Sequence, residues 1–242
     1  MYVKGLDVDK FIFDVDGTIT PSRCEIDNDF AVFFSDFCAN NNVYLVTGSD
    51  REKTLEQVGE EIYSLCKRVY NCSGSDVWEG EKNVKRNKWV VSSIQRAFLV
   101  GRLGRSKFPL RTGKHIEERP GMVNFSIVGR NATSSERKLY VEWDTKENER
   151  IQIASAFNNK FPKLLATVGG ETGIDIAPKG ADKSQIIDDF KGNTTHFFGD
   201  MMEVGGNDYS LAQVVSKCYP VEDWKQTKKY LKELIKNKVA RK

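Results

Sequence analysis

The first seventy residues alternate between two hydrophobic periods, and that rhythm limits the folds open to the chain. "FIFDV" (residues 11–15) is a compact apolar run of strand length, and "VYLV" (43–46) and "RVYNC" (68–72) are two more. Between them, "DFAVFFSDFCANN" is dense enough in apolar residues for a buried helix. Leu55, Val58, Ile62 and Leu65 then recur at the 3.6-residue period of a second helix. Strands separated by helices pair in parallel, because a parallel neighbour is reached only through a crossover. The opening third is therefore an α/β domain.

The middle of the chain breaks the rhythm. "HIEERPGMVNFSIVGR" reads as two strands joined at Pro120-Gly121, and "LLATVGGETGIDIAP" as a second pair around Gly169-Gly170. Between them, "SSERKLYVEWDTKENERIQIASAFNNKF" reads as one long helical stretch capped by Ser134 or Ser135. Paired strands with helices imply a separate α+β unit over residues 88–181. It would be inserted into a core domain made of residues 1–87 and 182–242. After Lys183 the first rhythm returns, with helix "KSQIIDDF", strand "THFFGD", a strand near "KCYPV" and a terminal helix.

Composition excludes several function classes. The 242 residues are 39% hydrophobic, enough for a packed core, and 37 basic against 34 acidic residues give a formal charge of only +3. No concentrated basic face points to nucleic acid. The locally basic run "KKYLKELIKNKVARK" keeps Tyr230, Leu231, Leu234 and Ile235 at helical spacing, as an amphipathic surface helix does. No apolar run approaches the ~18 residues of a membrane span, and the N-terminus has no charged-then-apolar leader. The five cysteines are odd in number and lack CxxC spacing, so they read as reduced, buried small groups. The expected setting is a reducing, cytoplasmic one.

Chemistry gathers at strand ends. Asp14 and Asp16 close the first strand, at the sheet edge where open parallel sheets bind ligands. Two carboxylates so close repel unless a cation or proton is shared, and oxygen ligands suit Mg²⁺. Thr47, Gly48 and Ser49 follow the second strand and offer hydroxyls and amides to an anion. Lys183 opens the returning segment, and "FFGDMMEVGGND" brings Asp200, Asn207 and Asp208 to the end of a late strand. Each feature alone has an ordinary explanation as a cap, a solvated lysine or a turn. Their order at successive strand ends makes chance a poor account.

This order resembles the haloacid dehalogenase superfamily of phosphotransferases, with its D-x-D-G-T, strand-end Ser/Thr, lysine and G-D…N-D. The blocks "DVDGTITPSR", "HIEERPGMVNFSIVGR", "SSERKLYVEWDTKENER", "GGETGIDIAPKGADK" and "FFGDMMEVGGND" are similar to those of eukaryotic-type phosphomannomutases across almost the whole chain. The resemblance implies an α/β fold with a Rossmann-like parallel-sheet core and an inserted α+β cap domain. It implies Asp14 as nucleophile, Asp16 as general acid/base, Lys183 as charge neutraliser, and Thr47, Gly48 and Ser49 as phosphate binders. Mg²⁺ would be held at Asp14, Asp16 (through its carbonyl), Asp200 and Asp208. Arg23, Arg119, Arg130, Arg137 and Asp175 would bind the sugar phosphate. The arginines are apt for that task because each presents a planar fork to phosphate oxygens. A hexose 1,6-bisphosphate activator and a homodimer formed through the cap are implied as well.

Four positions depart from the family pattern. Gly173 stands where a serine is usual, Pro120 replaces an asparagine, and Cys72-Ser73-Gly74 replaces a Glu-Asn-Gly type of loop. Thr47 stands where the mutases carry glycine, and a Ser/Thr there is the wider superfamily's phosphate binder. The leading reading is a mutase exchanging hexose 6- and 1-phosphates, mannose first and glucose as a further candidate, and the alternative is a Mg²⁺-dependent sugar-phosphate phosphatase. A non-catalytic sugar-phosphate binder is disfavoured because Asp14, Asp16, Lys183 and Asp200 are all intact, and a pure binder would not need both aspartates.

Overall fold

The computed structural model describes residues 9–239. The N-terminal residues on which the absence of a leader is judged, and the end of the basic run at Arg241-Lys242, lie outside the described residues. Two compact units divide the chain. One ends at Arg86 and resumes at Asp182; the other spans Asn87–Ala181.

In the first unit, β1 (Lys10–Phe13), β2 (Asn42–Val46), β3 (Arg68–Asn71), β10 (Thr195–Gly199) and β11 (Lys217–Pro220) pair in parallel in the order β11-β10-β1-β2-β3. Phe11, Ile12 and Phe13 are all buried although they alternate faces, because helices cover both sides of the sheet. Each such side chain contributes roughly 1.5–3 kcal/mol on burial. Phe13 also stacks on Phe198 of β10 at 4.6 Å. The helix α1 (Asn28–Asn40) begins where Asp27 accepts from the Phe30 amide, and it buries Phe30, Phe34 and Phe37. Asp50 caps α2 (Arg51–Leu65) in the same way, through the Lys53 amide. β1 neighbours β2 on one side and β10 on the other, so the strand order reverses at β1/β10. The crevice at such a switch point is the usual ligand site of an open α/β sheet.

The second unit is a four-stranded antiparallel sheet in the order β6-β7-β9-β8, made of β6 (Ile116–Arg119), β7 (Met122–Ser126), β8 (Leu164–Gly169) and β9 (Gly173–Pro178). Its core gathers Val123, Phe125, Ile174 and Ile176 with Leu99, Tyr140 and Phe157 from helices. Asn158 serves the edge strand β8, donating to the Ala166 carbonyl at 3.0 Å and accepting from the Ala166 amide at 2.7 Å.

Several expected elements differ. The long helical stretch is two helices, α4 (Ser134–Glu147) and α5 (Glu149–Lys160), broken at Asn148 with φ 54°. Asparagine tolerates that left-handed conformation, and Asp144 secures the break by accepting from the Arg150 amide at 2.8 Å. The cap of α4 is Thr133, not Ser134 or Ser135, in a reciprocal capping box with Glu136. "KSQIIDDF" winds as a 3₁₀ segment, Lys183–Phe190. The hairpin β4 (Asp76–Glu79) and β5 (Lys82–Arg86) extends the first sheet in antiparallel fashion, and α3 (Ser93–Arg105) precedes β6. Neither was expected. α6 (Tyr209–Ala212) is a single turn, and α7 (Trp224–Val239) is the last helix of the described residues. Cys38, Cys66 and Cys72 are buried as expected, whereas Cys24 and Cys218 are exposed; none of the five is in a disulfide. Among the described residues no helix is long and apolar enough to cross a membrane.

Candidate active site

The carboxylates of Asp14, Asp200 and Asp208 bring oxygens within 4.8 Å of one another at the C-terminal ends of β1 and β10. Lys183 reaches them from the start of its 3₁₀ segment. Its Nζ donates to Asp14 Oδ1 at 2.5 Å and to Asp208 Oδ1 at 2.7 Å, and only 1% of the lysine surface is exposed. Burial alone would lower the lysine pKa, but Asp14 and Asp208 hold it above its usual value. Asp14, 2% exposed, is pushed well above the usual carboxylate range by burial and by the charge of Asp208, with the Lys183 ammonium opposing. Asp200 is reachable from solvent, yet crowding around its carboxyl, helped by Asp208, pushes it up to about 6. Three carboxyls facing one ammonium form an acidic cluster of hard oxygen donors, suited to a small divalent cation.

The Asp208 oxygens are already committed, Oδ1 to Lys183 and Oδ2 to the Met201 amide at 3.1 Å. The Asp208 amide returns a bond to the Met201 carbonyl, which closes the loop between the two aspartates. Asp208 thus seats Lys183, while Asp14 and Asp200 are the more available donors.

Asp16 has a different environment. Its Oδ1 accepts from the Arg23 amide at 2.6 Å and from Gln57 Nε2 at 2.9 Å. Around and just past Asp16 the chain turns sharply: the Gly17 amide bonds the Thr20 carbonyl, and the amides of Thr18, Ile19 and Thr20 converge on the Val15 carbonyl. Gly17 has φ +78°, and a Cβ there would stand 2.3 Å from Asp200 Oδ2. Only glycine meets both conditions.

At the end of β2, Thr47 is buried and its carbonyl accepts from the Ser73 amide. Thr47 Oγ1 accepts from the Ser49 amide at 3.0 Å, so its O–H remains able to donate. The unexpected Cys72-Ser73 pair both adopt positive φ, at 49° and 56°. This is strained backbone of the kind that concentrates at functional sites.

The second unit holds the remaining candidates in two groups. Glu117 accepts from Arg119 at 3.0 Å and pairs with Arg130 as well. Burial pushes Glu117 up, but the guanidiniums of Arg119 and Arg130 bring it below the usual range, so one carboxylate faces two arginines. Arg137, 9% exposed, donates to Glu171 at 2.7 Å while its buried Nη1 has no partner. Asp175 accepts from Asn124 Nδ2 at 2.6 Å. Gly173 lies beside that pair, since a Cβ on it would stand 2.5 Å from the same Nδ2. Arg150, which joins Asp144 to the Gly170 carbonyl, and Asn124 are structural partners that the sequence reading did not single out. Gln57 is a third. Its one visible signal is a buried amide on the apolar face of α2.

Comparisons with known proteins place the chain in a family. The family model described as eukaryotic phosphomannomutase matches residues 30–237. A phosphomannomutase of Saccharomyces cerevisiae is 33% identical, with 83% of each chain covered. A probable phosphomannomutase of Caenorhabditis elegans is 30% identical over 93% of this chain and 94% of the relative. Among solved structures, an IMP-bound Plasmodium falciparum IMP-nucleotidase mutant shares the fold with TM-score 0.65 at 15% identity, covering 94% of this chain and 68% of that one. A trehalose-6-phosphate phosphatase related protein does so with TM-score 0.55 at 18% identity, covering 96% and 100%. The family model covers most of the chain and these relatives are 30–33% identical over most of its length, so the chain belongs to the eukaryotic phosphomannomutase family.

Proposed function

We propose that this protein interconverts hexose 6-phosphate and hexose 1-phosphate, mannose foremost, through an aspartyl phosphate on Asp14. The observation that carries the reading is the buried Lys183 bridge between Asp14 and Asp208, with Asp200 beside it and Asp16 held separately two residues on. In the first step an Asp14 oxygen attacks phosphorus of a hexose 1,6-bisphosphate. The phosphorus–oxygen bond to the sugar breaks, and Asp16 gives its proton to the departing oxygen. In the second step a hydroxyl of the monophosphate attacks the aspartyl phosphate, Asp16 takes that proton, and Asp14 is regenerated. Lys183 and the Thr47–Ser49 segment stabilise the phosphoryl oxygens. Mg²⁺, when bound by Asp14, Asp200 and the Asp16 carbonyl, would offset the charge on those oxygens.

The unit Asn87–Ala181 acts in this reading as the cap. Arg119, Arg130 and Arg137, with Arg23 of the core, hold the phosphate that is not being transferred, and Asp175 orients the sugar hydroxyls. The convergence of Arg119 and Arg130 on Glu117 and the unpartnered Arg137 Nη1 support that assignment. Pairing of two copies through the cap belongs to the same reading.

A second reading, a sugar-phosphate phosphatase, is favoured by Thr47, whose hydroxyl supplies a donor that a glycine lacks. One assay separates them. The protein is incubated with Mg²⁺ and mannose 1-phosphate, with and without glucose 1,6-bisphosphate, while mannose 6-phosphate and free phosphate are followed. Bisphosphate-dependent formation of the 6-phosphate is the expected outcome, and Asp14→Asn should abolish it. Free phosphate alone would replace the mutase with the phosphatase.

A further inference from the structure

Gln57 is 1% exposed, an unusual place for an amide, and its bonds run to the active site. Nε2 donates to Asp16 Oδ1 at 2.9 Å and to Thr20 Oγ1 at 3.3 Å. The Thr20 hydroxyl gives its own proton to the Val15 carbonyl, so its oxygen faces Gln57 as an acceptor. Both neighbours of Nε2 are acceptors, and this fixes which end of the amide points at Asp16. Gln57 Oε1 is buried without a partner, so the residue tolerates one orphaned acceptor to keep its N–H on Asp16.

The backbone of Gln57 joins in. Its carbonyl accepts from the Ile26 amide at 2.8 Å, and α2 loses helical geometry at Gly59, two residues later. One residue therefore ties the carboxylate, the turn at Thr20 and the loop that carries Arg23. The Arg23 amide is the other donor to the same Asp16 oxygen. Oδ1 receives both donors; among the described residues no hydrogen bond engages Oδ2.

From this geometry we propose that Gln57 is a positioning residue for the proton transfers: with the Arg23 amide it locks Asp16 Oδ1 and reserves Oδ2 for the leaving and attacking oxygens. The inference rests on the aspartyl-phosphate reading. Oδ2–H gives its proton to the departing oxygen as the Asp14–phosphorus bond forms. The Oδ2 carboxylate takes a proton from the incoming hydroxyl as that bond breaks. A lock on Oδ1 prevents rotation of the carboxyl away from this line, and such orientation is what makes a general acid effective.

The test uses the leaving group. Dinitrophenolate departs without a proton, whereas a sugar oxygen needs one. Gln57→Met, close in volume and without a donor, is compared with the unsubstituted protein by rapid mixing with 2,4-dinitrophenyl phosphate and, separately, with glucose 1,6-bisphosphate, both with Mg²⁺. The burst of dinitrophenolate should keep its rate constant within about threefold, because Asp14 and Lys183 are untouched. Phosphoryl transfer from the bisphosphate, and steady turnover on either substrate, should fall about 10- to 100-fold in kcat with KM little changed. Gln57→Asn, which keeps the amide one methylene short of Asp16, should show the same split and provides the comparison if the methionine variant does not fold. A loss shared equally by the burst and the sugar reaction, a loss carried by KM, or no loss at all would overturn the inference. An unsubstituted protein that gives no burst would overturn the aspartyl-phosphate reading, and this inference with it; a burst in the unsubstituted protein keeps the two failures distinct.

Discussion

Replacing Lys183 with methionine removes the ammonium that faces the buried Asp14 and Asp208, at 2.5 and 2.7 Å. Methionine roughly fills the space, so the cost is electrostatic. Breaking a buried pair by deleting one partner costs roughly 3–5 kcal/mol. At about 2–4 °C per kcal/mol for a chain of this size, the midpoint should fall by roughly 6–20 °C. The deficit should depend on pH. Asp14 already has a folded pKa above its unfolded value, and losing Lys183 raises it further. A carboxyl with a raised folded pKa keeps its stability contribution below the unfolded value and loses it as pH rises toward the folded one. The variant should therefore lie closest to the unsubstituted protein near pH 4 and fall behind as pH approaches neutrality. Thermal unfolding followed by circular dichroism in EDTA, at pH 4.5 and pH 7.5, reads this directly. The double variant Lys183→Met/Asp208→Asn removes one orphaned charge and should recover roughly 1–2 kcal/mol of the loss. A cost under about 1 kcal/mol at neutral pH, or no recovery in the double variant, would refute the bridge as a buried, energetically coupled unit.

Asp200, pushed up to about 6, loses its contribution as pH rises through that value when no cation is present. Millimolar Mg²⁺ should therefore raise the midpoint more at pH 7.5 than at pH 5, and equal stabilisation at both would refute Asp200 as a ligand. Gly173→Ser, which restores the serine expected of the family, places a Cβ 2.5 Å from Asn124 Nδ2 and should push that amide off Asp175. KM for the sugar phosphate should rise about tenfold, the worth of one hydrogen bond, with aryl phosphate turnover preserved. An unchanged KM would show that the Asn124–Asp175 pair does not orient the sugar. Arg130→Ala removes one guanidinium at Glu117 and should weaken hexose bisphosphate binding about 10- to 100-fold, again sparing a simple aryl phosphate. Equal losses on both substrates would argue against a role at the second phosphate.

The strands that carry the chemistry were legible because burial on both faces makes them near-continuous apolar runs. β1, β2, β3 and β10 announce themselves, and Asp14, Thr47 and Asp200 follow at their ends. β5 is the opposite case. All five of its residues are exposed, "KNVKR" shows no alternation, and it is a strand only because β4 offers it a partner. The α4/α5 break left no glycine or proline to read, since Asn148 makes the turn by entering the left-handed region itself. The segment Lys183–Phe190 buries Ile186 and Phe190, a spacing that serves an α-helix or a 3₁₀ segment equally over so short a span. Gln57 and Asn124 were invisible for a further reason. Their partners Asp16 and Asp175 lie 41 and 51 residues away, so a lone amide has meaning only once the fold brings the pair together.

Asn158 has a bearing on how the protein behaves at high concentration. Its amide gives Ala166 both bonds that a neighbouring strand would have given, at the middle of an edge strand with no charged residue. Unpaired edges recruit strands from other molecules, and charge or proline is the common deterrent. Among the described residues the other three sheet edges use that deterrent: Glu117, Glu118 and Arg119 on β6, Lys82, Lys85 and Arg86 on β5, Lys217 and Pro220 on β11. β8 instead relies on one side chain impersonating a strand. Its resistance to intermolecular β-pairing therefore rests on a single amide of α5, so Asn158→Ala should aggregate faster on light scattering even where folding and turnover are intact.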